Sequence, residues 1–185
     1  MERAELIDRD FIASFKQSTE GLWSALVINP GLYGFQFQKG TRWNPGLSEI
    51  QIDQYEKELG FGLSSDLRLF LRYLNGTDLP TVNVYGNCGE PHRTSEGIYS
   101  YPRDLEHVKN RMEDLVKDWR DVNYVLAEVG FEDRSGSLFP FYSHRYVACG
   151  RDFPNSPVLS VHGSDAIVYA PNFREYLKME FLRDG

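Results

Sequence analysis

Four histidines, two cysteines and 27 acidic residues are the groups able to move protons, attack carbonyls or hold metals in this chain. His92, His107, His144 and His162 are scattered, and none stands at a short ligand spacing from a cysteine or another histidine. A zinc site from Cys149, His144 and His162 is conceivable across adjacent strands, against the ordinary reading of solvated or hydrogen-bonded histidines. No closed set of four ligands is visible, so neither a metal nor a cofactor is expected. His144-Arg145-Tyr146 is the most distinctive polar cluster. It reads either as a recognition patch or acid/base pair, or as an arginine paired with a carboxylate beside a histidine that caps a turn.

Glu132-Asp133, Asp152 and Asp165 would suit general acid/base work if two converged in a cleft, but acids beside turn residues are ordinarily turn formers or solvated charges. A hydrolase would use His144 with Asp152 or Asp165, which requires an approach of about 3 Å to each other or to a shared water. Ser135-Gly136-Ser137 reads as a turn and not as a nucleophile. Nucleotide-binding loops, a Gly-x-Ser-x-Gly elbow and His-Glu-x-x-His are all missing from the sequence. Tyr85, Tyr99 and Tyr101 are either core on alternate residues or an exposed strip, for which tyrosine supplies contact area at small entropic cost. With Glu132, Asp133, His144 and Arg145 they form the candidate partner-binding set.

The elements that must position these groups follow from periodicity. Phe11, Ile12 and Phe15 predict a short helix from Asp10 to Ser18, with Asp10 as N-cap. The Gly- and aromatic-rich stretch from Trp23 to Trp43 is an ordered flap or an edge strand, with Phe35 and Phe37 alternating. Ser48 and Gln51 form a capping box, Ile52, Tyr55 and Leu59 line one helix face, and Gly60 ends it. A second helix begins at Ser64 or Ser65, presents Leu67, Phe70, Leu71 and Leu74 to the core, and stops at Asn75-Gly76, giving a helical hairpin. Val82 to Tyr85 predicts a strand, Gly86 to Gly97 a loop, and roughly Arg103 to Trp119 the longest helix. Strands are expected at Tyr124–Leu126, Leu138–Tyr142, Tyr146–Cys149, Val158–Val161 and Ala166–Tyr169, the last two joined by a tight hairpin. Asn172 and Glu175 start a final helix carrying Phe173, Tyr176, Leu177 and Phe181.

At 185 residues, with 41% hydrophobic and 14% aromatic, the chain can fill one core. Helices first and a strand-rich end predict an α+β fold: an N-terminal helical hairpin on a largely antiparallel sheet, with a long middle helix and a C-terminal helix. An acidic N-terminus and the lack of a long apolar run predict no signal peptide and no membrane span. Two cysteines then read as reduced thiols, and the expected location is cytoplasmic. A net charge of −7 with dispersed Lys and Arg argues against nucleic acid as a direct ligand and favours basic partners.

Trp43-Asn44-Pro45-Gly46-Leu47-Ser48, then Ile52, Glu56, Leu59-Gly60, Leu63, Asp66-Leu67, Phe70-Leu71 and Asn75-Gly76, resembles the opening signature of the SUKH superfamily, the Smi/Knr-like proteins. Ser64 departs from it, standing where the family usually has proline. A second block is similar to a bacterial branch: Phe139-Pro140, His144-Arg145-Tyr146, Asn155 to Val161, Asp165 to Tyr169, and a helix with Tyr176-Leu177 and Glu180-Phe181. The resemblance spans roughly Trp43 to Leu182. It divides the chain into an N-terminal helix and Gly/aromatic extension (1–42) and a SUKH-like domain (43–185), one structural unit overall.

The resemblance implies a sheet packed against the paired helices and a role in protein recognition. Bacterial members look like immunity proteins that neutralise toxins, fungal members like regulators of cell-wall synthesis that work through partner proteins. It carries no catalytic residue or cofactor, and implies structural roles for Trp43 as a core aromatic, Glu56 as a helix-face carboxylate, and Asn75-Gly76 as a helix stop. The expected function is a non-catalytic binding module, an immunity protein whose target is a basic toxin domain. The alternative is a regulatory adaptor with a cellular partner, and a hydrolase stands behind both.

Overall fold

A computed structural model describes residues 6–85, 93–95, 97–117, 122, 124–125, 127, 137–150, 156–163 and 165–182. Helix α1 (Arg9–Ser24) starts two residues earlier than its apolar spacing predicts and runs six residues further. Asp8 is the N-cap, its carboxylate accepting from Phe11 N–H at 2.7 Å, and Asp10 falls within the first turn. At 16 residues α1, not the middle helix, is the longest helix described. The Gly/aromatic stretch resolves into the short strands β1 (Gly34–Gln36) and β2 (Trp43–Pro45).

Helix α2 (Glu49–Leu59) has the expected capping box, Ser48 with Gln51, and ends at Gly60 with φ +82°. Ser64 caps α3 (Ser65–Leu71), taking the role of the missing proline by accepting from Leu67 N–H. Glu56 joins the two helices: one oxygen accepts from Leu63 N–H at 2.7 Å, the other from Arg68 at 2.5 Å. Arg68 also reaches Glu49 and Asp53, each at 2.8 Å, so one guanidinium laces the hairpin together.

Phe70, Leu71 and Leu74 are buried as expected, yet the helix does not reach Leu74. Leu74 opens strand β3 (Leu74–Thr77), whose four residues are all buried. A fully enclosed strand shows no alternation, so Leu74 fits a helical stripe equally well by sequence. Gly76 has φ +68°, and a Cβ there would meet the Tyr99 carbonyl oxygen at 2.4 Å. Asn75-Gly76 is therefore no helix stop but part of a strand pressed against 98–101.

Strand β4 (Thr81–Val84) lies between β1 and β5 (Arg93–Ser95). The last falls inside the stretch expected as a loop, where no apolar alternation marks it. Helix α4 (Leu105–Lys117) follows. Tyr124 and Val125 are helical, not the strand anticipated there, and Leu126 lies outside the described residues. Strands β6 (Ser137–Tyr142), β7 (Arg145–Cys149), β8 (Val158–His162) and β9 (Asp165–Ala170) form an antiparallel meander in that order. Gly163, with φ +59°, makes the β8–β9 turn. Helix α5 (Phe173–Phe181) closes the fold, with Asn172 accepting from Glu175 N–H at 2.8 Å.

The fold is thus α+β, but the strands among the described residues make three antiparallel groups, β1-β4-β5, β2-β3 and β6-β7-β8-β9, where one sheet was anticipated. One large core runs from Ile7 to Phe181 and includes Ile12, Phe15 and Trp23 of α1 with Phe70, Phe141, Phe173 and Tyr176. A second cluster under α4 joins Leu115, Leu138, Tyr146, Leu159 and Val161. Trp43 seals α1 to the rest, its indole N–H donating to Thr19 Oγ1 at 2.8 Å and its backbone N–H to Glu20 at 3.1 Å. The N-terminal helix is a wall of the same core.

Candidate partner-binding surface

The tyrosine trio is split by the structure. Tyr99 and Tyr101 are 7% and 9% exposed, with Tyr101 stacked on Tyr55 at 4.4 Å and Tyr99 against His107 at 5.4 Å. Asn75 holds this segment through both ends of its amide: Nδ2 donates to Tyr101 O at 2.7 Å, and Tyr101 N–H donates to Oδ1 at 2.9 Å. Their part in an exposed strip is corrected: both rings are core, Tyr101 packing on α2 and Tyr99 on α4.

Tyr85 does face solvent. It follows β4 with φ +50°, a left-handed conformation that a bulky residue rarely adopts. Its ring meets Tyr33 edge-on at 5.0 Å, because Gly34 pairs with Val84 and the two tyrosines sit one step beyond. Tyr33 is 79% exposed, and Leu32 and Phe35 flank it on the surface. The Gln36 side chain fixes the approach to β1: Nε2 donates to Asn29 O and Leu32 O at 2.9 and 2.6 Å, and Oε1 accepts from Asn29 N–H at 2.8 Å. Phe37 stacks on Trp23 at 4.5 Å and on Tyr142 at 5.5 Å, tying the strand to the core. An ordered aromatic surface results. The chain of Tyr33 and Leu32 carried too little periodicity to be found by sequence; the alternation of Phe35 and Phe37 was its only trace.

Arg145 has the structural role. Its side chain is 13% exposed, lies 3.5 Å from Glu180, donates to Ser160 Oγ at 2.7 Å and stacks on Tyr169 with its guanidinium carbon 3.7 Å from the ring centre. His144 sits in the β6–β7 turn, where Ser143 has φ +51° and its Oγ lies 3.0 Å from His144 Nδ1. Partial burial, then Arg145, His162 and Arg111, hold the imidazole down to about 4, so it is neutral near pH 7. His162 faces it at 5.9 Å between ring centres. The charged groups around His144 are thus cationic, Asp165 is paired in register with His162, and Asp152 lies outside the described residues.

Cys149 is at the opposite end of β7 from His144, about 16 Å along an extended strand. Burial pushes its thiol up to about 12, which disfavours the thiolate a metal needs. Among the described residues no group of three or more His, Cys, Asp or Glu could hold an ion. Glu132 and Asp133, like Cys88 and His92, lie outside the described residues, as does most of the net charge of −7. Among the described residues no helix is long and apolar enough to cross a membrane.

The architecture is an α+β module with an ordered aromatic surface and no assembled acid/base pair among the described residues. The profile of the SMI1 / KNR4 family (SUKH-1) matches residues 46–179, and the chain belongs to that family. The matched segment begins after β2, so α1 and Tyr33 lie in front of it and Tyr85 within it. No curated protein matches the chain. Membership points to binding of a protein partner.

Proposed function

We propose that the chain is a non-catalytic protein-binding module of the cytoplasm, an immunity protein that occludes a toxin domain. The observation that carries this reading is the aromatic surface of Tyr33, Tyr85, Leu32 and Phe35 on an edge sheet. Exposed tyrosines packed on each other are pre-ordered anchors of the kind that dominate protein interfaces. The left-handed backbone of Tyr85 costs about 1–2 kcal/mol, and it places the ring outside the core. A net charge of −7 steers the module toward a basic domain, with Glu132 and Asp133 as the proposed steering acids.

The test is binding kinetics with the product of the neighbouring gene. Tyr33→Ala with Tyr85→Ala should weaken affinity roughly 100-fold, about 3 kcal/mol, through faster dissociation and without a change in melting temperature. The association rate should fall with salt and fall further in Glu132→Lys with Asp133→Lys. Affinity indifferent to the tyrosines removes this surface. No binding to that product at any salt shifts the reading to a regulatory adaptor with a cellular partner.

A further inference from the structure

We propose that β9 is a dimerisation strand, through whose outer edge two copies of this chain pair antiparallel about a two-fold axis at Ile167. The proposal is independent of what the aromatic surface binds. The four-stranded sheet has two ends, and they are treated differently. At one end, Leu138 to Tyr142 of β6 are buried, with Phe35 and Phe37 against Tyr142. At the other, Asp165 is exposed and Ile167 is 52% exposed. Among the described residues no backbone hydrogen bond reaches the outer edge of β9. Exposed edges are ordinarily blunted by charged side chains, proline or bulges. β9 holds no lysine or proline, and its one charge, Asp165, and its register shift at Tyr169 lie towards the two ends, leaving Ala166-Ile167-Val168 unguarded.

The polarity of that edge can be read from one hydrogen bond. Val161 N–H donates to His144 O at 2.9 Å, so the peptide groups of Val161 turn toward β7. Alternation turns those of Ser160 and His162 toward β9, where their register partners Ile167 and Asp165 turn inward to meet them. Ala166 and Val168 therefore point their N–H and C=O groups outward. Setting Ala166 opposite Val168 of a second copy, twice by symmetry, pairs all of these groups. The two Ile167 residues then face each other at a position without backbone hydrogen bonds, where Cα atoms approach to about 4.5 Å and side chains touch most closely.

Charge agrees with the same register. Asp165, which has no ion pair among the described residues, would lie opposite Tyr169 of the second copy, the ring that carries the Arg145 guanidinium at 3.7 Å. The register shift between β8 and β9 falls at Tyr169, beyond the central Ala166–Val168 stretch. Because the β6 end is covered, pairing stops at two copies and does not propagate. A contact between two short edge strands is small beside the roughly 2,000–5,000 Å² of a permanent dimer, so association should be weak and reversible.

Sedimentation equilibrium of the full chain, followed to about 1 mM, should show the mass of one chain becoming that of two. Ile167→Lys places two ammonium groups face to face at an exposed position, and should stay at the mass of one chain with an unchanged melt. Ile167→Cys should form a disulfide-linked dimer under mild oxidation at least tenfold faster than Ile50→Cys, whose parent residue is 81% exposed on α2. A single-chain mass throughout, equal cross-linking of the two cysteine variants, or a dimer that Ile167→Lys leaves intact each overturns the proposal.

Discussion

Asp66 offers a direct test of how the N-terminal segment is held. Its carboxyl is 4% exposed at the start of α3, accepts a hydrogen bond from Ile7 N–H, and has Oδ2 buried without a hydrogen-bond partner. Burial pushes it up to about 6 from an ordinary 3.8, the Ile7 bond opposing only part of the shift. Between those values the folded state binds the proton and the unfolded chain does not. The contribution of Asp66 to stability therefore falls as pH rises from about 4 to about 6, and stays low above that.

A shift of about two units is worth about 3 kcal/mol at most. Asp66→Asn removes the charge and keeps an acceptor for Ile7 N–H. It loses the favourable interaction of a carboxylate with the first turn of α3, and its amide N–H₂ also needs a partner, together about 1 kcal/mol. The expected gain is about 2 kcal/mol at pH 7.5, shrinking to zero or below at pH 4. Urea unfolding of parent and variant at the two pH values measures it, the difference isolating this group from other titrations. A variant no more stable than the parent at pH 7.5 would refute the claim that Asp66 is held in an unfavourable ionised state.

Asn75→Ala strands the N–H and C=O of Tyr101 in the core, and should cost about 3 kcal/mol in a urea melt; a loss below about 0.5 kcal/mol would mean the amide clamp contributes nothing. Leu71→Asp buries an uncompensated carboxylate at a position 3% exposed and should cost about 4 kcal/mol or prevent folding. A thermal melt within about 0.5 kcal/mol of the parent would show that α3 packs through a different face.

Local chemistry was legible without the fold. The capping box at Ser48, the left-handed stop at Gly60, the serine start of α3, the Asn172 cap and the β8–β9 hairpin each depend on residues only a few positions apart, so their energetics are written in adjacent side chains. The family signature was legible for the same reason, as ordered runs around these local devices. Asn75-Gly76 marks where that stops. Asn-Gly is a common helix terminator by propensity, and only the approach of residues 98–101 from another part of the chain turns it into a strand position where no Cβ fits. The candidate surface depended on the same kind of information. Tyr85, Tyr99 and Tyr101 are equivalent in type. The register of β1 against β4 leaves the first beside Tyr33 in solvent, and the Asn75 clamp draws the other two inside. Burial is a sum over contacts distant in sequence, so residue type sets what a tyrosine can do and tertiary structure decides whether it meets solvent.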